Sequence, residues 1–290
     1  MIHAEKADYT VTRMCRLLGA DRRRYYEWAA RAGRPPGVRE RRMEGLTSEV
    51  KRPHALSGGT YGAPRILCDL RDDGWTVSKK TVAKAMRRAG VCGISPRSWH
   101  PQTTVRGAGH KPVPGLVCRA FDQGGKDRAW MSDITYLRTG EGFCYSCVVR
   151  DGHTRRVLGR VVDRHMRAGL VEAALKQAAV LRGQLPGKIV FHADRGCQYT
   201  SEQVALCASG LGLLRSMGRT GVCFDNAQVE SFWSTLKNEY YHRHVFKTVD
   251  QARQGVYGWI DGWYNAKRRH SSLGYISPLQ YEQQLGDEVA

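Results

Sequence analysis

Apolar positions change their spacing along the chain. Val11, Met14, Leu17 and Leu18 recur at helical intervals, so residues 11–32 are expected to be helical and buried on that stripe, ending at Gly33-Arg34-Pro35-Pro36-Gly37. A second helix is expected over residues 40–51. Pro64 suits the first turn of a helix reaching Asp72 or Asp73, Gly74 makes a turn, and Ser78 caps another helix running to Arg88. Pro101, Gly107, Gly109, Pro112 and Pro114 then interrupt any pattern, which marks a linker. Beyond it, alternation predicts strands over 129–138, 142–150 and 156–163, with Thr139-Gly140-Glu141-Gly142 as a hairpin turn. Next come a helix over 168–182, a strand over 188–192, a helix over 202–211 and a short strand near 213–216. Three strands followed by alternating helix and strand predict an α/β fold, a mixed sheet flanked by helices. The expected division is a helical region 1–52, a helix-turn-helix region 53–98, a linker 99–114, and an α/β domain 115–290 with a helical tail.

Three acids occupy unusual places in that pattern. Asp133 falls in the middle of the strand W-M-S-D-I-T-Y, on one face. Asp194 lies just past the apolar run Ile189-Val190-Phe191, at the carboxyl end of a strand, where open α/β sheets bind ligands. Glu230, 36 positions later, borders the apolar stripe Val229, Phe232, Trp233, Leu236 and Tyr240 of a helix spanning 227–241. On the neighbouring stripe Asn226, Glu230, Ser234 and Lys237 recur, which sets Lys237 roughly 10 Å along the axis from Glu230. Asp225 or Asn226 is expected to cap this helix. Read singly, each acid is equally a surface acid, a turn residue or half of a solvated ion pair. Read jointly, Asp133, Asp194 and Glu230 form a candidate catalytic site for two Mg²⁺ (or Mn²⁺) ions acting on a phosphodiester.

Charge narrows the substrate. The net charge is +19, and it is uneven: 23 basic against 10 acidic residues up to Pro114, then 23 against 17. A polyanionic partner, held chiefly by the amino-terminal part, follows. Lys79, Lys80, Lys84, Arg87 and Arg88 crowd the helix after Ser78, while Val82 and Met86 face inward, as a groove-entering helix requires. Whether it reads base edges or grips phosphates stays open, and a merely solvated charged face is the alternative. Near the end, a helix over 250–267 leads into Lys267-Arg268-Arg269-His270; this cluster beside Trp259, Trp263 and Tyr264 either grips a displaced strand or packs on the core. No stretch has the roughly 18 apolar residues of a membrane span. Nine scattered cysteines suit a reducing compartment, so a cytoplasmic, nucleoid-associated protein is expected. Cys144 and Cys147 sit at odd spacing in a strand and therefore point to opposite faces, which argues against zinc. His192 and His270 lack partners at ligand spacing.

Several long motifs occur in a recognisable order. W130-M-S-D-I-T-Y-L, F191-H-A-D-R-G-C-Q-Y-T-S, F224-D-N-A-Q-V-E-S-F-W-S-T-L-K-N-E and the closing Y264-N-A-K-R-R-H-S-S-L-G-Y-I-S-P resemble the second-reading-frame transposases of IS-three family insertion sequences, relatives of retroviral integrases. T60-Y-G-A-P-R-I and V77-S-K-K-T-V-A-K-A-M-R-R-A-G-V are similar to that family's helix-turn-helix segment. The resemblance covers residues 9–281; Ala193 and Cys197 are its small departures. It implies an RNase H-like core with Asp133, Asp194 and Glu230 as metal ligands and Lys237 as a basic residue near the DNA end. It implies metal-dependent strand cleavage and strand transfer at terminal repeats of double-stranded DNA, by copy-out, paste-in movement through a circular intermediate. It also implies a homo-oligomer that joins two DNA ends, and a first-frame protein fused to or acting beside this chain. The alternatives are a catalytically inactive DNA-binding relic and an RNase H-like nuclease acting on RNA–DNA hybrids.

Overall fold

The computed structural model describes residues 1–32, 34–94, 115–117, 120–218 and 226–287. The linker and Asp225 lie outside the described residues. Alternation in the middle of the chain becomes three long strands, β1 (Ala129–Thr139), β2 (Gly142–Asp151) and β3 (Val157–Asp163), followed by α7, defined below with its neighbours. A two-residue turn at Gly140-Glu141 joins β1 to β2, closed by the pair Thr139 and Gly142. Two short strands, β4 (Val190–Ala193) and β5 (Leu214–Met217), complete one sheet in the order β3-β2-β1-β4-β5. β1, β2 and β3 pair antiparallel, whereas β4 and β5 run parallel to β1.

Helices cover both faces. Before the sheet run α1 (Val11–Leu17), α2 (Arg22–Ala32), α3 (Val38–Glu49), α4 (Lys51–Leu56), α5 (Ala63–Asp72) and α6 (Lys79–Arg88). Within and after it come α7 (Ala168–Arg182), α8 (Cys197–Thr200), α9 (Glu202–Gly210), α10 (Ala227–Glu239), α11 (Val249–Trp259) and α12 (Pro278–Asp287). The strand period of two splits the core accordingly. Trp130, Cys147 and Val149 pack with α7 and α9 on one face; Met131, Leu137, Cys144 and Val148 pack with α10 and α11 on the other. Cys144 and Cys147 thus serve opposite faces, both fully buried. α7 lies so close to β3 that a Cβ on Gly159 would sit 1.9 Å from the Ala174 carbonyl oxygen, so glycine is obligatory there.

Three expectations need correction. The first helix breaks at Leu18-Gly19, where Gly19 takes φ +61°; Leu17 is 74% and Leu18 52% exposed, so only Met14 and Cys15 of that turn are buried. The helix expected through residue 267 gives way after Trp259 to a wider π-helical turn, Ile260–Asn265. α8 and α12, four and ten residues long, carried no recognised periodicity.

α5 and α6 form the helix-turn-helix, with Gly74 at φ +84° between them and Ser78 Oγ accepting from the Thr81 N–H. Their core, Ile66, Leu70, Val82, Ala85 and Met86, is closed by Leu46 and Val50 of α3 and by Trp263 from the tail. The tail fastens this unit to the sheet domain. The Arg269 guanidinium donates to Asp69 at 2.7 Å and to Asp72, and the Tyr61 hydroxyl accepts from the Arg269 N–H at 2.8 Å. The Tyr61 and Trp263 rings lie 5.5 Å apart between centroids.

A candidate two-metal active site

β1 and β4 are parallel, with Ala129 opposite Val190 and Met131 opposite His192. Continuing that register by two residues sets Asp133 level with Asp194, which lies one residue beyond β4. Asp133 shares its face of β1 with Met131, the face that α10 covers. α10 is held there from its first residue: Asn226 Nδ2 donates to the Ser132 carbonyl oxygen at 3.2 Å, tying the helix start beside Asp133. Asn226 occupies the cap position, but its side chain makes no capping bond: its Nδ2 donates to β1, and its Oδ1, the atom that would accept from the helix N–H groups, is buried without a partner. The expected cap is therefore corrected to a strand tether. Glu230 falls in the first turn of α10 and is exposed.

Electrostatics shows how near the acids are. Burial pushes Asp133 up to about 8, and repulsion from Asp194 and Glu230 adds to the rise. Burial also raises Asp194, opposed by the Gly196 N–H that donates to its Oδ1 at 3.0 Å and by His192. Glu230, exposed as a residue, is raised by the partial burial of its carboxyl among its neighbours and by the charge of Asp194. Lys237, two turns along α10, is lowered by its own burial and raised by Asp133. Asp133 thus feels the charge of both other acids, Glu230 that of Asp194, and Lys237 that of Asp133. As they stand, no three His, Cys, Asp or Glu among the described residues close around one point. Their all-oxygen donor set suits a hard divalent cation, which would relieve that repulsion.

Two supports were not legible in the sequence. The Trp233 indole N–H lies beside Asp133 and favours its charged form without closing to a hydrogen bond. Behind β1, Ser132 Oγ donates to the Val148 carbonyl oxygen at 2.8 Å and shares a 2.9 Å hydrogen bond with the Tyr199 hydroxyl, fixing the strand on which Asp133 stands. The pairing of Ser132 with Tyr199, 67 residues away, has no local signature.

The basic candidates fall into two groups. Lys79, Lys80, Lys84, Arg87 and Arg88 are all exposed on α6, opposite its buried Val82, Ala85 and Met86. Lys80 and Lys84, with Arg39 and Arg42 of α3, border a groove of about 430 Å³. In the tail only Lys267 is exposed. Arg268 is 5% exposed and donates twice to Glu239, at 2.7 and 2.6 Å; Arg269 is taken up by Asp69 and Asp72. Tyr264 and Trp259 are buried in the core. Of the two readings of this cluster, packing replaces strand capture for Arg268 and Arg269, because distant carboxylates neutralise both.

Comparison with known proteins agrees with this geometry. Residues 125–223 and 211–278 each match the integrase core domain family, and residues 40–99 match an HTH-like domain. The fold is that of an integrase core preceded by an HTH-like region, and it makes the chain an enzyme of the polynucleotidyl transferase kind. The chain is 36% identical over 281 residues to the transposase InsF of insertion sequence IS3A from Escherichia coli, covering 97% of this chain and 96% of that one. A 31 kDa protein of insertion element IS600 from Shigella sonnei is 32% identical, covering 96% of this chain and 100% of its own. The catalytic core of BIV integrase is 18% identical, with a TM-score of 0.42, covering 57% of this chain and 99% of its own. The chain belongs to the IS3 family of insertion-sequence transposases. No helix among the described residues is long and apolar enough to cross a membrane.

Proposed function

We propose that Asp133, Asp194 and Glu230 hold two Mg²⁺ or Mn²⁺ ions and cut and join DNA at the ends of an insertion sequence. The observation that carries this reading is that the register of an integrase core sets Asp133, within β1, level with Asp194, just beyond β4, while the charge of Asp194 also acts on Glu230 of α10. Two divalent cations bound there would supply Lewis acidity on both sides of the scissile phosphorus. Asp133, on a strand braced by Ser132, and Asp194, turned by the Gly196 N–H, are the fixed ligands. Glu230, exposed on α10, is the adjustable one. Lys237 pairs with a neighbouring phosphate oxygen. One strand is hydrolysed at the element end, which frees a 3′-hydroxyl; that hydroxyl then attacks a second phosphodiester in line. One phosphodiester breaks as another forms, so no nucleotide triphosphate is consumed. In the division 1–52, 53–98, 99–114 and 115–290, the second region would hold duplex DNA while packed on the first and clasped by the tail, within an oligomer assisted by the first-frame protein.

Nicking of element-end DNA by the full chain, with the first-frame protein present, is expected in Mg²⁺ or Mn²⁺, to stop in EDTA, and to be lost in Asp194→Asn. Metal-independent binding without any cleavage, or cleavage surviving in Asp194→Asn, would refute the reading. A separate outcome concerns α6. Lys84→Ala should weaken binding to all duplexes alike and reduce the log–log salt slope by about 0.9, the signature of one lost phosphate contact. A loss confined to one sequence would instead make Lys84 a base reader.

A further inference from the structure

Beside α10, on the flank that carries Ser231 and Thr235, opens a cavity of about 690 Å³. Four arginines line it: Arg65 of α5, Arg150 at the end of β2, Arg155 in the turn before β3, and Arg268 of the tail. Their compensation is uneven. Glu239 accepts both charge-assisted bonds from Arg268 and also serves Arg65, at 3.8 Å. Among the described residues Arg150 and Arg155 form no ion pair. Asp122, which also faces the cavity, is taken up by His153 at 2.7 Å. Asp151, the nearest buried acid, spends its oxygens on the N–H groups of Asp127, His153 and Thr154.

Arg150 is the decisive residue. It is 4% exposed; its Nη1 donates to the Gln228 carbonyl oxygen at 3.1 Å, while its Nε has no partner. The register shift between β2 and β3 falls at Val149 and Arg150, where a bulge re-aims a side chain. The Arg155 Nε is buried without a partner too. A buried, always-protonated guanidinium with a free donor is strongly unfavourable unless an anion completes it. His270 faces the same space and is pushed well below its ordinary pKa by burial and by all four arginines, so it adds no charge and leaves the excess to them.

Resting on the strand-cutting reading above, we propose that this cavity is a phosphate subsite for the DNA strand crossing α10. A phosphodiester of that strand sits against Arg150 and Arg155 while the scissile phosphate lies on the Glu230 side. Glu230 and Ser231 are adjacent on α10, about 100° apart around its axis, so the two phosphates lie on neighbouring flanks of one helix. The cavity thereby fixes how far the strand has advanced into the acid cluster. Arg65 gives the helix-turn-helix region a direct share in that grip.

The test uses the full chain without divalent metal. Arg155 adopts φ +64°, which asparagine tolerates, so Arg155→Asn removes the charge without straining the turn. Inorganic phosphate, against chloride at equal ionic strength, should raise the melting temperature of the parent protein and leave that of Arg155→Asn unmoved. Binding of an element-end duplex with a single-stranded flank, followed by fluorescence anisotropy, should weaken about tenfold at low salt in Arg155→Asn, with the salt slope smaller by about 0.9. Arg150→Met should do the same. Stabilisation by phosphate with an unchanged DNA slope would mean a free-phosphate site and overturn the strand assignment. No response to phosphate, or a lower melting temperature of Arg155→Asn in chloride, would show that the arginines are balanced internally and overturn the site itself. A parallel cleavage assay of Asp194→Asn in Mg²⁺, with the first-frame protein present, separates the two proposals. Retained cleavage there refutes the catalytic reading and leaves the Arg155 result standing, whereas lost cleavage with no Arg155 effect does the reverse.

Discussion

Asp133→Asn is expected to abolish strand cleavage and, in the same protein, to raise the melting temperature when metal is absent. The loss of activity should reach at least about 10³-fold, beyond what removing one transition-state donor costs in other enzymes. The gain in stability follows from the sign of the shift. In the folded protein Asp133 titrates near 8, against about 3.9 when unfolded. Between those values the unfolded chain has released a proton that the folded chain still holds, so stability falls as pH rises from about 4 to about 8 and stays low above it. The asparagine variant escapes this penalty. Its advantage over the parent should be largest at pH 8 and above, and absent near pH 4. Excess Mg²⁺ should reverse the order, because a cation among the carboxylates stabilises only the protein that has all three. Melting curves at pH 5 and 8, in EDTA and in Mg²⁺, read all of this. Equal melting temperatures at both pH values, or an asparagine variant that Mg²⁺ stabilises as much as the parent, would refute the coupling.

Arg182→Met is the other large effect, and it concerns the fold. At the end of α7, Arg182 donates to Asp127 at 2.8 Å and to both oxygens of Glu282 at 2.8 and 2.6 Å, all three side chains being 7% exposed or less. Glu282, on α12, also accepts from Thr154 and Arg156. Removing the arginine leaves two buried carboxylates facing each other, which costs about 3–5 kcal/mol and lowers the melting temperature by roughly 10 °C or more. Adding Glu282→Leu should restore much of the loss, since removing both partners of a buried pair is far less costly than removing one. A double variant no better than the single would refute this. Glu282 is depressed to about 2: burial raises it, and the bonds from Arg182 and Arg156 more than offset that. Its contribution is complete above its unfolded value near 4.3 and disappears as pH falls toward about 2. Asp133 and Glu282 thus slope in opposite directions, and the metal-free protein should be most stable in mildly acidic solution.

The sheet was readable in advance because β1, β2 and β3 are long runs rich in apolar, β-branched and aromatic residues bounded by turn residues, as strands covered on both faces show. The helix-turn-helix was readable because Pro64, Gly74 and Ser78 punctuate it by mechanism rather than by frequency. The three acids were individually visible as misfits in apolar surroundings. Their closeness was not, because the level of Asp133 with Asp194 depends on the pairing of β1 with β4 across 61 residues. The tail left two readings open for the same reason: consecutive cations look like a surface for DNA, and only Asp69, Asp72 and Glu239, distant in sequence, show that Arg268 and Arg269 are paired within the fold. Arg150 carried a signal that went unused, an arginine at the end of an otherwise apolar strand.

The clasp between Arg269 and the helix-turn-helix has an evolutionary consequence. Asp69, Asp72 and Tyr61 of one unit answer a single arginine of the other, about 200 residues away in the chain. A helix-turn-helix exchanged between related elements would arrive without its matching tail, leaving a half-buried guanidinium without its carboxylates. Changes in which DNA end is recognised should therefore accumulate on the outer surface of α6, by substitution, rather than through shuffling of the whole module.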